Sequence, residues 1–352
     1  MAKTHHAVND GVAGAAFFAT VLDFQPEEAV IAPASVPWQP GPLPTDTEVL
    51  ADAVAALAGQ PALMMGAVQR AAETFAGLRQ RRHHTGDMDG PPAPFSAPRT
   101  SLNGPIGTGR EVRVVDVSFD EVRAVKEATG VTVNDVALAL VATAVRQWCH
   151  VRGETPEDDL VALVPASVPR GDGGAVGIVH GNSVAPMLVS LATTIAGPRE
   201  RLAAISRSAR AAKAQEAEVG SAVLCEVAEI VAPVVVATAA RLASALRLAD
   251  HLAPSFNLSV SNVPGPPVPV YLAGGRVEAL YPLGPVVDGS ALNITALSYA
   301  GRLAFGLVAD RDSSVGLDDL AAGLVAALAE LHAAVAGSPH RPALLGWAPL
   351  RT

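Results

Sequence analysis

The sequence is poor in lysine, cysteine and aromatic side chains, and positive charge is its minority sign. Its 352 residues include two cysteines and 34 acidic against 25 basic side chains, which gives a net charge of −9. Nucleic-acid binding needs a basic footprint, so we expect no nucleic-acid partner. Cys149 and Cys225 belong to no Cys-x-x-Cys pair. Neither a disulfide framework nor a zinc knuckle is therefore indicated, and the cytoplasm is the expected location.

Long uninterrupted apolar runs are also missing. The most apolar stretch, residues 219–250, is broken by charged residues and by Pro233, and its longest charge-free part is residues 230–240. A membrane-spanning helix needs about 20 apolar residues. We interpret the stretch as a buried or membrane-surface helix. Because no apolar segment follows Lys3, we expect no secretory signal.

Four common site signatures are absent from the sequence. There is no Gly-x-Ser-x-Gly elbow for an acyl-serine route. The glycine clusters have neither P-loop nor dinucleotide-binding spacing. The histidines outside the N-terminal segment show no metal-ligand spacing. We expect no metal ion and no cofactor.

Apolar residues make up 50% of the chain, with a mean hydropathy of +0.32, so we expect a folded protein of two domains or one large two-layer unit. The first hundred residues predict helices at 11–22, 46–57 and 62–82, followed by a connector rich in proline and glycine. The rest predicts a mixed sheet with flanking helices. Strands are predicted at 111–119, 160–164, 184–191, 256–262, 276–281, 292–299 and 302–309, and helices at 120–128, 134–150, 198–218, 221–249 and 317–335. We divide the chain into residues 1–94, a connector at 95–110, and residues 111–340.

The most specific local feature is the heptad His5-His6-Ala-Val-Asn-Asp10-Gly11. A positioned imidazole can take a proton from a hydroxyl or thiol near neutral pH and return it to a leaving group. Taken alone, two histidines and an Asp-Gly turn are equally well explained as incidental.

The heptad resembles the HHxxxDG motif of acyl-CoA-dependent acyltransferases, and further blocks resemble bacterial wax ester synthase/diacylglycerol acyltransferases from Thr4 to about Leu331. The Leu102-Asn103 block resembles the family's "PLN" motif, with Ser101 where proline is usual. Asn134-Asp135 is similar to the "ND" helix. The later blocks that match in order are Ser261-Asn262-Val-Pro-Gly-Pro266, Leu292–Tyr299 and Gly306–Asp310.

This resemblance implies a chloramphenicol-acetyltransferase-like α/β fold of two lobes, built from mixed sheets flanked by helices. It implies that His6 is a general base, that His5 shapes the site and that Asp10 holds the turn. Gly11, Asn103, Asn134 and Asn262 become candidate substrate-binding residues, with the groups around Asn262 as candidates to stabilise an oxyanion. The implied reaction transfers a long acyl chain from acyl-CoA, as co-substrate, to diacylglycerol or a long-chain alcohol.

In the family the histidine motif lies well inside the chain, whereas here it begins four residues after Met1. We therefore expect an incomplete first lobe. A misplaced start codon, an inactive remnant, and a shortened protein completed by a partner are competing explanations.

Several simpler interpretations stay open. Asp135 can be the acid of a helix capping box, Asn103-Gly104 can be a turn, and the Ser261–Pro266 block can serve packing alone. The basic run at residues 79–84 is interpreted as a solvated helix end, with anionic headgroups as the alternative.

The function also has alternatives. One is a non-catalytic, lipid-associated remnant, and another is condensation with an amine acceptor. If the substrates are lipids, we expect peripheral contact with the inner membrane or with lipid inclusions.

Overall fold

A computed structural model describes the chain in four long stretches: residues 90–167, 184–219, 241–313 without 243, and 315–336. It also describes residues 2–5, 14, 17–18, 20–27, 39–52, 54–55 and 238. The named elements are β1 (Arg110–Ser118), α1 (Phe119–Thr129), α2 (Val133–Val151), β2 (Val161–Ser167), β3 (Val184–Ser190), α3 (Pro198–Val219), α4 (Leu248–His251), β4 (Leu258–Val263), β5 (Tyr271–Leu272), β6 (Gly275–Arg276), β7 (Leu292–Tyr299), β8 (Arg302–Asp310) and α5 (Leu317–Ala336).

Six strands form one mixed sheet in the order β1-β8-β7-β4-β2-β3. The pairs β1–β8, β7–β8 and β2–β3 are antiparallel, whereas β4 pairs in parallel with both β2 and β7. A parallel pair needs a crossover connection, and between β2 and β4 that connection includes β3 and α3. The predicted mixed sheet with flanking helices is therefore confirmed for this part of the chain.

Helices cover one face of this sheet. The hydrophobic core joins the buried sides of α2, α3 and α5 to alternate residues of the strands, among them Val260, Ile294 and Phe305. The opposite side, which we call the outer face, carries the other set of alternate residues. Its members include Ser259, Ser261 and Val263 of β4, Asn293, Thr295, Leu297 and Tyr299 of β7, Ala304, Gly306 and Val308 of β8, and Val112, Val114 and Asp116 of β1.

Local chemistry sets the element ends. Ser118 caps α1 by accepting a hydrogen bond from the Glu121 amide, and Gly130 ends that helix in the left-handed region at φ 72°. The β7–β8 hairpin turns at Ala300 and Gly301, both with positive φ (44° and 84°), which is the type I′ geometry whose twist matches antiparallel strands.

Two predicted elements are wrong in extent. The strand predicted at 276–281 is limited to Arg276, which pairs within the short β5–β6 hairpin, and residues 277–281 have no regular structure. The helix predicted to run to Ala249 breaks at Arg247, whose φ is 50°, and a separate short helix follows. Residues 221–237, 239–240 and 243 of that predicted helix lie outside the described residues.

Among the described residues, no single helix has the length and apolar character of a membrane span; α1 and α2 pass such a test only as a pair bent by 107°.

Candidate functional site

Of the histidine motif, the structure describes His5, which is exposed. His6, Asp10 and Gly11 lie outside the described residues, so their predicted roles stay predictions. Downstream of the motif, residues 14, 17 and 18 are helical and residues 20–27 form turns with one bridge to the rest of the molecule. This bridge is a point at which the segment after the motif contacts the rest of the described molecule.

The bridge joins Asp23 to Tyr271. The Asp23 amide donates to the Tyr271 carbonyl (2.9 Å), and the Tyr271 amide donates to the Asp23 carbonyl (2.8 Å). The β5–β6 hairpin is in turn held by the Tyr299 hydroxyl, which donates to the Val277 carbonyl (2.7 Å) and accepts from the Val270 amide (3.1 Å). Because Tyr299 ends β7 on the outer face, the segment after the histidine motif is held on that side, at the carboxyl end of β7.

The Ser261-Asn262 block lies at the same end of the sheet, near the end of β4. Because side chains alternate along a strand, its two polar residues face opposite ways. Asn262 shares the helix-covered face with Val260, and Ser261 lies on the outer face opposite Thr295. Both are half-buried, and within the described part of the chain neither side chain makes a hydrogen bond.

The outer face beside Ser261 is polar. Asn293 and Thr295 are buried there, and the Thr295 hydroxyl donates to the Asn293 side-chain oxygen (2.9 Å). Asn293 in turn donates to the Pro285 carbonyl (3.1 Å), which ties the segment 281–288 across β7 and β8. Sequence analysis missed this pair, although period-two alternation of polar residues in β7 is a signal that could have identified it.

Asp116, another buried polar residue of the outer face, accepts a hydrogen bond from the Tyr281 hydroxyl (3.0 Å) and lies 3.3 Å from Arg302. Burial and the nearby Asp116 charge raise the pKa of Tyr281. Tyr281 therefore stays protonated at neutral pH, and its hydrogen bond to Asp116 fixes the start of the segment 281–288.

Asn103, predicted to bind substrate, lies at the opposite end of the sheet. Its amide nitrogen donates to the Phe256 and Gly289 carbonyls (3.0 and 2.8 Å), and its oxygen accepts from the Asn257 amide (2.8 Å). Asn257 precedes β4, so this site and Asn262 are separated by about 17 Å of strand. The structure does not bring the two predicted residues together.

The connector around Asn103 is firmly packed. Leu102 is fully buried, and its carbonyl accepts from the Ala291 amide (2.8 Å). Asn257, fully buried and missed by sequence analysis, accepts from the Val161 amide (2.9 Å) and donates to the Pro98 carbonyl (2.6 Å). The turn in this block is centred on Ser101-Leu102 rather than on the predicted Asn103-Gly104, and neither Asn103 nor Gly104 has the positive φ expected of an Asn-Gly turn.

Asn134 lies half-buried in the first turn of α2. The other end of that helix reaches the connector, where the Ser101 amide donates to Glu154 (2.9 Å). With α2 about 28 Å long, Asn134 is remote from Asn103. Its predicted role in substrate binding stays a prediction.

Asp135 is confirmed as a helix-capping residue. Its carboxylate accepts from the Thr132 amide (2.9 Å) while its own amide donates to the Thr132 hydroxyl (3.2 Å), a complete capping box. The same carboxylate accepts from the buried Ser206 hydroxyl of α3 (3.0 Å). The acid thus fixes both the start of α2 and its packing on α3.

Two other chemistries find no support in the described ranges. No three His, Cys, Asp or Glu side chains among those residues come together as a metal site.

Burial raises the pKa of the Cys149 thiol to about 11, and the nearby Glu154 charge adds to the rise. At neutral pH that thiol is protonated and is a poor nucleophile.

Comparison with known proteins identifies the family. The model described as "Wax ester synthase/diacylglycerol acyltransferase catalytic domain" matches residues 1–137, and "WS/DGAT C-terminal domain" matches residues 180–332. The solved wax ester synthase/diacylglycerol acyltransferase from Marinobacter aquaeolei VT8 is similar, with a TM-score of 0.56 and 27% identity over 91% of this chain and 63% of that one. This likeness confirms the expected chloramphenicol-acetyltransferase-like α/β fold class.

Two relatives from Mycobacterium tuberculosis match nearly the whole sequence. A protein of strain CDC 1551 named as a diacylglycerol O-acyltransferase is 32% identical over 94% of this chain and 63% of its own length. The "Probable diacyglycerol O-acyltransferase tgs2" of strain ATCC 25618 / H37Rv is 34% identical over 95% of this chain and 70% of its own length. The chain thus spans about two thirds of these relatives. It belongs to the wax ester synthase/diacylglycerol acyltransferase family.

Proposed function

We propose that this chain is an O-acyltransferase that moves a long-chain acyl group from acyl-CoA to diacylglycerol or a long-chain alcohol. The observation that carries the proposal is the intact His5–Gly11 motif in a chain of this family, followed by a segment docked at the carboxyl end of β7. The relatives' names supply the acceptor class, and the acyl-CoA donor follows from the motif.

In the proposed reaction His6 is the general base. Its imidazole takes the proton of the acceptor hydroxyl, and the resulting oxygen attacks the thioester carbonyl carbon directly. The tetrahedral intermediate collapses by breaking the carbon–sulfur bond, and the CoA sulfur leaves with the proton held by the imidazolium. The ester and free CoA are the products, and no acyl-enzyme forms.

The intermediate needs a hydrogen-bond donor for its oxyanion. Ser261 is our candidate because its hydroxyl lies on the outer face, the side on which the segment after the motif is held, and because it makes no hydrogen bond to the described residues. Asn262 faces the helices, on the side of the sheet away from the segment after the motif, so its role in substrate binding stays a prediction.

The test is ester formation by the purified chain from palmitoyl-CoA with diacylglycerol or hexadecanol, with CoA thiol release followed in parallel. Replacing His6→Ala should lower both signals by roughly 10²–10⁴-fold, the usual contribution of a general base. His251→Ala is the matched control, because His251 is an exposed histidine far from the motif in the sequence. Its turnover should equal that of the parent.

Each other outcome has a defined meaning. Equal turnover by His6→Ala would remove the assignment of the base. Lipid binding by folded parent protein without any turnover would favour the non-catalytic alternative. Amines outcompeting alcohols as acceptors would replace ester synthesis by condensation.

A further inference from the structure

Helix α3 has a fixed buried side. Leu202 and Ile205 lie in the core, and the buried Arg201 donates to the Ile195 carbonyl (2.7 Å) and the Thr143 hydroxyl (2.9 Å). Ser208 accepts from the Ser190 amide at the end of β3 (2.9 Å). With these anchors the helix cannot rotate about its axis, so the residues on its other side always face outward.

That outward side is positive. The exposed side chains Arg199, Arg207, Arg210 and Lys213 follow one another at intervals of eight, three and three residues, which keeps them on one side of the helix over about 21 Å. We call these four residues the basic stripe. Arg146 of α2 is exposed nearby, where it donates to the Thr193 carbonyl (2.9 Å).

The concentration of charge runs against the composition of the chain. Acidic residues outnumber basic ones by 34 to 25 in the whole chain. In α3 the balance is reversed, with five basic residues against three acidic ones, Glu200, Glu216 and Glu218. A local excess of positive charge on an acidic protein produces an oriented attraction to negative surfaces.

We propose that the basic stripe docks the protein on an anionic lipid surface. The inference rests on the proposed function in that lipid-soluble substrates require contact with such a surface. Its own support is the stripe, together with the chain that follows it. Residues 219–250 are the most apolar stretch of the sequence, and in its described part Leu242 and Leu246 are 57% and 56% exposed. These leucines lie one turn apart, hence on one side.

Positive charge and exposed apolar side chains each attract a protein to an anionic membrane surface. The linear, exposed stripe fits a plane of headgroups, along which its positive charges can be spread. A bound CoA would instead concentrate its phosphates at one point of the stripe.

The test is sedimentation of the protein with vesicles of equal parts phosphatidylglycerol and phosphatidylcholine, against vesicles of phosphatidylcholine alone. The variant Arg199→Gln/Arg210→Gln/Lys213→Gln should bind the anionic vesicles at least about tenfold more weakly than the parent. The control Arg123→Gln/Lys126→Gln/Arg276→Gln removes the same charge from exposed positions elsewhere and should bind like the parent. Parent binding should also fall steeply between low salt and 1 M salt, where the Debye length is about 3 Å.

Vesicle binding is measured without turnover, so its failure is distinguishable from failure of the proposed reaction. Equal binding by the stripe variant and the parent would overturn the proposal, as would equal loss in the control or equal binding to both vesicle types. An increased KM for palmitoyl-CoA with a water-soluble alcohol and no vesicles, with vesicle binding unchanged, would assign the stripe to CoA and also overturn it.

Discussion

Ser261 and Asn262 show how neighbouring residues acquire different roles. The alternation of apolar Leu258 and Val260 with polar Ser259 and Ser261 indicates from the sequence that Asn262 shares the apolar face. The register Ser261↔Thr295 and Asn262↔Ala296 agrees with this assignment. One is left on a polar surface and the other on the helix-covered side.

We expect Ser261→Ala to lower ester formation by roughly 10²–10³-fold, the cost of losing one oxyanion donor, without changing the free energy of unfolding. Ser259→Ala is the matched control, since Ser259 lies two residues earlier on the same face and is also half-buried. Steady-state kinetics and urea unfolding are the measurements. Full activity in Ser261→Ala would assign the donor elsewhere.

Asn103 and Asn257 differ in how far the sequence predicts them. Asn103 was predicted from its motif, and its hydrogen bonds to Phe256, Gly289 and Asn257 occupy both ends of its amide. No local sequence pattern indicated a role for Asn257, because its hydrogen-bond partners Val161 and Pro98 are distant in sequence. Long-range hydrogen bonding of a lone buried asparagine is not encoded in a local pattern.

At the scale of elements, the predictions succeed where the determinants are local. The Thr132–Asp135 capping box and the Ala300-Gly301 turn are within a few residues of the helix and strands that they define. The strand predicted at 276–281 is wrong because period-two alternation of apolar and polar residues also occurs in a half-buried segment that pairs with no other strand. Residue 277 is held by the Tyr299 hydroxyl, and Tyr281 is held by Asp116, without a neighbouring strand.

The β7–β8 hairpin allows a stability prediction. Ala300 has a φ of 44°, a conformation that is unfavourable for alanine and well tolerated by asparagine, which forms the preferred Asn-Gly type I′ turn. We expect Ala300→Asn to raise the free energy of unfolding by about 0.5–1 kcal/mol. Ala300→Val should lower it, because a β-branched residue resists positive φ. Urea unfolding of the parent and the two variants measures these free energies. A lower stability of Ala300→Asn than of Ala300→Val would contradict the assignment of a type I′ turn.

At the scale of the whole molecule, the fold determines where charged and polar residues lie, and the composition does not predict it. The acid excess of the sequence gives no hint of the basic stripe, because average charge says nothing about which residues share an exposed helix side. Likewise, the family motifs predict the fold class but not that Asn103 and Asn262 lie at opposite ends of β4. Placement of this kind depends on strand order, here β1-β8-β7-β4-β2-β3.

The connection between the segment after the histidine motif and the sheet can be tested through one backbone hydrogen bond. Asp23→Pro removes the amide that donates to the Tyr271 carbonyl (2.9 Å), whereas Asp23→Ala keeps it and serves as the control. Loss of this hydrogen bond leaves the one from the Tyr271 amide to the Asp23 carbonyl. It should weaken the docking of the segment and lower ester formation about tenfold, the equivalent of one hydrogen bond of about 1.4 kcal/mol.

The midpoint of urea unfolding of the six-stranded sheet should stay the same, since Asp23 lies outside its core. Turnover by Asp23→Pro equal to that of Asp23→Ala would show that this docking does not position the histidine motif.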